Sequence, residues 1–374
     1  VADSWWLAEE APRLRSPQLD DPVDVAVVGG GVTGCSCALT LARGGLRVRV
    51  YEARTVASGA SGRNGGFALR GGAPAYDVAR RELGPERAGS LWTLTEDALE
   101  RMVALAGDAF RREGSLRLAA DPAERTKLEA EYEALREDGL AVEWVEHLPA
   151  SLAGRFFGAI RHPNDGALQP ARWVRRLAAH AAEAGAEIRE HARVDDVAAL
   201  PAGRVVVATD GYGARLLPEL ARAVRPVRGQ VIATAPLPER VFPCPHYARD
   251  GYDYWHQTPD RRLVLGGRRD RALEAEYTDD ETTTPQVQSA LEEFAAELLG
   301  FEPAVDASWA GIWGETEDRY PLAGPLPGDE RVWVATGYSG HGNVLGFACG
   351  DLVSRGILGE PAPELELFDP ARAL

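Results

Sequence analysis

The sequence predicts an α/β fold in which a parallel sheet layered with helices is interleaved with a second, β-rich part. Three observations predict it. Near the N-terminus an apolar run breaks into a glycine turn that opens a helix. Strand–turn–helix patterns of the same kind return in the middle and at the end of the chain. Short β-like runs fill the stretch 224–267 between them.

Taken in order, residues 24–28 are apolar and end at Gly29-Gly30-Gly31, a helical pattern covers 32–43, and Gly44-Gly45 stops it before a strand at 46–52. The next segment, SGASGRNGG (58–66), is too polar and too flexible to be a regular element. From about Tyr76 to Gly139 the pattern is mainly helical, with a break at Gly84-Pro85 and an intervening strand at 114–118. Residues 170–185 form an amphipathic helix, followed by a strand at 187–189 and another near Val194. RVVVA (204–208) is a buried strand that stops at Thr209-Asp210-Gly211. Strands are expected at 230–233 and 262–265, and a helix at 286–299. A last strand, 332–336, leads through Gly337-Tyr-Ser-Gly-His-Gly342 into a final helix from Asn343 to about Ile357.

Bulk properties bound the function. The 374 residues suffice for two ordinary domains or one composite one, and 45% apolar with 26% charged residues is ordinary globular composition. A net charge of −16 opposes binding to nucleic acid or anionic membrane. The first 22 residues lack a basic and an apolar signal region, and no stretch approaches a membrane span, so a cytoplasmic protein is expected. Cys35, Cys37, Cys244 and Cys349 form neither a CxxC pair nor a metal ladder and read as buried small residues. Lys127 is the single lysine.

Gly29-x-Gly31-x-x-Gly34 follows a strand and opens a helix, as a dinucleotide fingerprint does. The first glycine permits the turn, the second admits a pyrophosphate to the backbone, and the third lets helix and strand pack closely. The helix N-terminus then offers its free N–H groups to phosphate. Glu52 follows Gly31 by 21 residues, near the ~20 expected for the carboxylate that holds a ribose diol. This Rossmann-type motif alone does not choose between FAD and NAD.

Further segments decide the matter. DVAVVGGGVTG (24–34), SGASGRNGG (58–66), DGALQPARWVRRLAAHAAEAGAEI (165–188), VVVATDGYGARL (205–216), RPVRGQ (225–230), GIWGETEDRYPLAG (311–324) and ATGYSGHGNVLG (335–346) stand in order along nearly the whole chain. Together they resemble the D-amino-acid-oxidase-like flavoenzymes, the group of glycine oxidase and monomeric sarcosine oxidase, and in particular the γ-glutamylputrescine oxidase branch. The resemblance implies a three-layer FAD-binding domain over 1–78, 155–222 and 306–374. An α+β substrate domain on an antiparallel sheet would take 79–154 and 223–305. It implies FAD contacts at Gly29, Gly31, Val32, Thr33 and Gly34, and at Glu52, Ala53 and Arg54. Further contacts are expected along Ser58, Ser61, Gly62, Arg63, Asn64, Gly65 and Gly66, and at Val194, Ala208, Thr209 and Gly211. The last set is Gly340, His341, Gly342 and Asn343.

Flavin-dependent amine oxidation needs a neutral amine with its α C–H over flavin N5, and a positive group or helix N-terminus near N1 and C2=O. The GYSGHG loop, placed before the final helix, meets the second need. The resemblance implies the same loop at the pyrimidine end of the flavin, with His341 beside it, and Arg63 and Asn64 against the isoalloxazine ring. In GYDYWHQ, alternation puts Tyr252, Tyr254 and His256 on one face, and Tyr254 and His256 are taken as catalytic-site candidates. Trp313 and Glu315 are further pocket candidates.

Departures from the pattern matter too. Sarcosine oxidase tethers its flavin through a cysteine in the segment that here reads AGIWGETED, so non-covalent FAD is expected. Its two active-site lysines match Val264 and Val344, so neither role is filled in kind unless an arginine such as Arg63 or Arg249 serves. The implied partners are a small-molecule amine and oxygen or another electron acceptor, with oxidase favoured over dehydrogenase and no metal. The sequence leaves the oligomeric state open. Rival readings are an NAD dehydrogenase, which would not need the RNGG segment or the returning GHG loop, and a flavin-binding protein without turnover. A hydrolase is disfavoured because His341 occupies the place of the last glycine in a nucleophile elbow.

Overall fold

The computed structural model describes residues 4–12 and 14–374, so the first three residues of the 1–78 segment and Arg13 lie outside it. The strand Val23–Val28 is buried almost throughout, as expected of a strand covered on both faces. It lies inside a six-stranded sheet whose order is 322–326, 329–336, 202–207, 23–28, 48–51 and 187–189. Pairings are parallel except for the hairpin of 322–326 with 329–336. Three distant stretches of chain thus build one sheet.

Helix Val32–Arg43 packs on one face of that sheet with Pro170–Glu183 and the last helix, Val344–Leu358. Gly34 and Gly350 allow this closeness: a Cβ on Gly34 would stand 1.9 Å from the Gly29 carbonyl, and one on Gly350 2.5 Å from that of Thr33. The other face carries a separate apolar cluster that includes Leu217, Leu220, Val224 and Leu322.

A second sheet of eight strands runs in the order 305–315, 225–234, 263–267, 253–257, 246–248, 115–118, 159–162 and 143–145. It is antiparallel except where 246–248 pairs parallel with 115–118, so the sheet is mixed rather than purely antiparallel. Helix Pro285–Leu299 buries Val287, Leu291, Phe294, Ala295 and Leu298 in a core shared with Trp255, Leu263 and Leu265. A three-stranded sheet of 67–68, 166–168 and 110–111 completes the strands.

Most elements stand where the sequence places them, within a few residues. One expectation is corrected, and two stretches of the expected nucleotide-binding part pair in the eight-stranded sheet. No strand forms near Val194, where the chain runs as turns and loop. The segment 306–315, expected with the nucleotide-binding part, pairs residue by residue with 225–234 in the eight-stranded sheet. Strand Ala159–His162 likewise pairs there with 115–118 and 143–145. In both cases hydrogen bonding to a neighbouring strand outweighs sequence proximity to the Rossmann-type strands.

The segment 276–284, between the second sheet and helix 285–299, is fixed by a buried ion pair. Arg228 and Glu276 are 5% and 0% exposed and meet at 2.8 Å. The same guanidinium donates to the carbonyls of Ala275, Asp280 and Thr282. Removing the carboxylate leaves an uncompensated buried cation, which costs about 3–5 kcal/mol. Glu276→Ala should therefore lower the urea midpoint by a stability loss of that size. Asp279→Asn, which breaks only a half-exposed pair with Arg215, should change the midpoint little.

Candidate functional site

The glycine turn, the RNGG segment and the GYSGHG loop meet around one cavity of about 710 Å³. Its first end is built by the N-terminus of helix Val32–Arg43. The cap residue there is Gly31, with no side-chain cap of its own, and the Val32 N–H donates to Ser61 Oγ at 3.0 Å. A Cβ on Gly29 would lie 2.5 Å from the Ala208 carbonyl, which is why only glycine lets these two strand ends meet. Glu52 closes strand Val48–Tyr51, its carboxylate accepting from the Gly30 N–H at 2.7 Å and the Arg54 N–H at 2.8 Å. Both contacts fix the acid while leaving it on the cavity wall.

The middle of the wall comes from 58–66. Arg63 is 3% exposed and lines the cavity; its Nε donates to the Ser58 carbonyl at 2.8 Å, and a terminal nitrogen stands 3.9 Å from Glu281. Asn64 and Asn343 exchange carboxamide hydrogen bonds, each 3.1 Å, and Asn343 also donates to the Phe67 carbonyl at 2.6 Å. This pair joins the RNGG segment to the cap of the last helix. Trp6 supports it from behind, donating from its indole to the Asn64 carbonyl at 2.9 Å.

The far end carries the aromatic groups. The Tyr254 ring lies against Gly65 and Gly266, where added Cβ atoms would approach within 2.7 and 2.4 Å, and stands edge-on to Phe67 at 5.7 Å. The Trp313 ring similarly covers Gly229. Tyr247 and Phe67 also line this end, with Arg269 stacked over the rings of Tyr252 and Trp313. Burial pushes the Tyr254 hydroxyl up to about 12, so it stays protonated. Burial pushes the His341 imidazole down to about 4, so at neutral pH it is uncharged.

Most expected residues come together on this wall: Gly29, Gly31, Val32, Thr33, Glu52, Ala53, Arg54, Ser61, Arg63, Asn64, Gly65, Val194, Ala208, Thr209, Tyr254 and the stretch Gly340 to Asn343. Others stand behind it. Gly34, Gly62, Gly66 and Gly211 do not line the cavity but permit close backbone packing. Ser58 holds Thr55 through its hydroxyl and takes Arg54 and Arg63 on its carbonyl.

His256 corrects the sequence expectation. It shares Tyr254's side of the strand, since both pack on Phe67, but it is fully buried between Phe67 and Trp6 and does not line the cavity. Burial pushes it down to about 3, which leaves it an apolar-like support behind the Gly65–Phe67 backbone rather than a group at the reacting atoms. Tyr252 and Glu315 are also off the wall, and Glu315 is engaged by Arg225 and Arg269. Arg249 is engaged by Asp253 and Asp270. Lys127 is 70% exposed, while Val264 is buried and Val344 lines the cavity as an apolar group.

Sequence reasoning missed Asp210, Tyr212 and Glu281, which also line the cavity. Glu281 receives two hydrogen bonds from Arg54, at 2.7 and 2.9 Å, and a short one from the Tyr212 hydroxyl. Asp279 pairs with Arg215 at 2.6 Å. The 276–284 segment thereby straps the eight-stranded sheet to the first end of the cavity. No spacing signal announced these residues, because their partners lie far away in the sequence. Asp210 merely follows the strand 202–207.

A cradle of turn glycines, a helix N-terminus and an acid at the end of the second strand, opening into an aromatic end, fits a flavin dinucleotide. Comparison with known proteins agrees. The chain matches the family model described as DAO, FAD dependent oxidoreductase, over residues 24–355. It is 30% identical to γ-glutamylputrescine oxidoreductase of Escherichia coli over 371 residues, 90% of this chain and 84% of that protein. It is 30% identical to glycine oxidase of Geobacillus kaustophilus over 366 residues, 89% of this chain and 93% of that one. The probable oxidoreductase OrdL of Rhizobium meliloti is 29% identical over 403 residues, 98% of this chain and 90% of that protein. The crystal structure of glycine oxidase from Geobacillus kaustophilus superposes with a TM-score of 0.79 at 26% identity, covering 95% of this chain and all of that one, 100%.

The strap has a pH signature. Burial alone would raise the Glu281 carboxyl, but the hydrogen bonds of Arg54 and Tyr212 outweigh it and hold the group below its ordinary 4.5. A depressed carboxyl stabilises the fold above the unfolded value and loses that contribution as pH falls through the folded one. Glu281→Gln should cost about 1–2 kcal/mol at pH 7, since Arg54 is partly exposed. In thermal melts the gap between wild type and variant should narrow as pH drops below 4.5.

Proposed function

The chain belongs to the DAO family of FAD-dependent oxidoreductases, and from that premise we propose that it oxidises the C–N bond of a small amine or amino acid. The observation that carries the reading is the cavity that joins the dinucleotide cradle to an aromatic end at Tyr254, Trp313 and His341. Its volume of about 710 Å³ suits a large cofactor with a small substrate beside it.

In this reading the N–H groups at the start of helix Val32–Arg43 take the pyrophosphate and Glu52 takes the adenosine ribose. Arg63 and Asn64 would hold the isoalloxazine part, and the loop from Gly340 to Asn343, on the same cavity wall, would hold the pyrimidine end. When bound, FAD would supply a two-electron acceptor for hydride from the substrate's α C–H; the imine so formed would hydrolyse, and oxygen or another acceptor would take the electrons. The protein's own part is positioning. Aromatic walls at Tyr254, Trp313 and Phe67 exclude water and favour the neutral amine, whose lone pair is needed as the C=N bond forms. The neutral His341 adds no charge, so the positive potential at the pyrimidine end falls to the loop N–H groups and the dipole of helix Val344–Leu358.

Polyamine derivatives come first among the proposed substrates, ahead of N-methyl amino acids and glycine-like ones, since γ-glutamylputrescine oxidoreductase is among the relatives. With Lys127 on the surface, no lysine stands where a relative uses one toward oxygen, so an oxidase is favoured on family grounds alone. The cofactor is taken as non-covalent, because Cys35, Cys37, Cys244 and Cys349 are all buried and none lines the cavity. We assign the FAD-binding part to 1–78, 155–222 and 306–374, with strands 159–162 and 305–315 crossing into the substrate sheet. Among the described residues no helix is long and apolar enough to cross a membrane. A cytoplasmic setting belongs to the same proposal.

The purified protein should be yellow, and anaerobic addition of the correct amine from a panel should bleach the band near ~450 nm. A yellow protein that no amine bleaches would instead be a flavin-binding protein without turnover. A protein that stays colourless after soaking in FAD would overturn the reading. Gly31→Val should abolish FAD retention on gel filtration, because a Cβ there meets Ser61 Oγ within 2.9 Å and the larger group fills the phosphate approach.

A further inference from the structure

Asp210 is a carboxylate inside the fold whose hydrogen bonds all go to backbone. Its Oδ1 accepts the Gly337 N–H at 2.8 Å and its Oδ2 accepts the Gly314 N–H at 2.9 Å. The two N–H groups belong to different segments: Gly314 lies near the end of strand Val305–Glu315, and Gly337 opens the GYSGHG loop. Asp210 itself takes a positive φ of 46° and lines the cavity. The loop it grips takes positive φ at Gly337 and Gly340, where glycine is at ease, and at Ser339 (φ 50°), where a side chain is not. Two more ties hold it. The Ser339 N–H donates to the Gly314 carbonyl at 2.9 Å, and the Tyr338 and Thr33 hydroxyls meet at 3.0 Å.

We propose that Asp210 is a positioning residue for the reaction, one carboxylate that fixes the start of the 337–342 loop to the end of strand 305–315 and thereby aims the loop's N–H groups into the cavity. The proposal rests on the reading that this loop faces the flavin. The geometry explains why an acid stands here: a carboxylate has an acceptor oxygen for each segment, whereas an asparagine has one, and its amide nitrogen would confront the second N–H. Burial pushes the carboxyl up to about 6 against the pull of the surrounding backbone N–H groups. Such a group is costly for the fold to keep where a packing residue would serve. Tyr338 beside it adds no charge, since burial holds its hydroxyl protonated.

The test is Asp210→Asn in the FAD-loaded protein, read by the two-electron midpoint potential and the visible spectrum, with His341→Ala beside it. If the loop is released, the preference for reduced over oxidised cofactor should fall about tenfold, a shift of ~30 mV to lower potential. The spectrum should move with it. A variant with wild-type potential and spectrum but a lower Tm would make Asp210 a structural residue only and overturn the proposal. His341→Ala separates the two ideas. If it alters the spectrum while Asp210→Asn does not, only the positioning role fails; if neither does, the loop reading fails as well. Should Asp210→Asn not fold, hydrogen exchange on the wild-type apoprotein serves. Amides of Gly314 and Gly337 should be slow and should open together, and fast, independent exchange of the two would overturn the proposal.

Discussion

The structure depends on backbone approaching backbone with no side chain between. At the glycine turn, helix Val32–Arg43 comes so near the strand before it that a Cβ on Gly34 would stand 1.9 Å from a carbonyl oxygen. Next to it, strand end 29 meets strand end 208 on the same terms. These contacts bring a helix N-terminus, its Val32 N–H held by Ser61, to the floor of the cavity instead of burying it under side chains. Everything else in the site is arranged around that floor.

What surrounds the floor arrives from distant parts of the chain and is joined by a few polar groups. Asn64 and Asn343 tie two loops by reciprocal amide bonds. Asp210 ties a strand end to a loop, and Glu281 ties the second sheet's connecting segment to Arg54 and Tyr212. None is a fully exposed ion pair of the sort that contributes little. Each works where water is sparse, which makes its geometry consequential for whatever the cavity holds. The aromatic end follows a different logic. Tyr254 and Trp313 lie over glycines, so the sheet itself recesses to make room for rings. Arg269, stacked over two rings and near Glu315, is a cation of that end and stands at its edge.

Much of the fold was legible in the sequence. The first β-α-β unit, the helices over 76–137 and 170–183, and the closing strand and helix follow from periodicity and from glycine punctuation. So were the cradle and the two loops that line it, since each is a run of several residues whose types are constrained together. His256 falls outside the cavity, against expectation, because alternation gives the side of a strand and not what covers it; here Phe67 and the Gly65–Gly66 backbone do. The strand 305–315 joins the other sheet because its register with 225–234 is a long-range pairing that its own pattern does not announce.

By itself, then, the sequence determined the nucleotide-binding unit, the order of the elements and the chemistry of the cavity's floor, because those features are written in local spacing. Only the tertiary structure decided which side chains close the cavity. Asp210, Tyr212 and Glu281 are single residues whose meaning lies in partners 69 to 227 positions away for Glu281, and 104 and 127 away for Asp210. A contact across such distances is fixed by how the two sheets pack, and no window of sequence contains both of its ends.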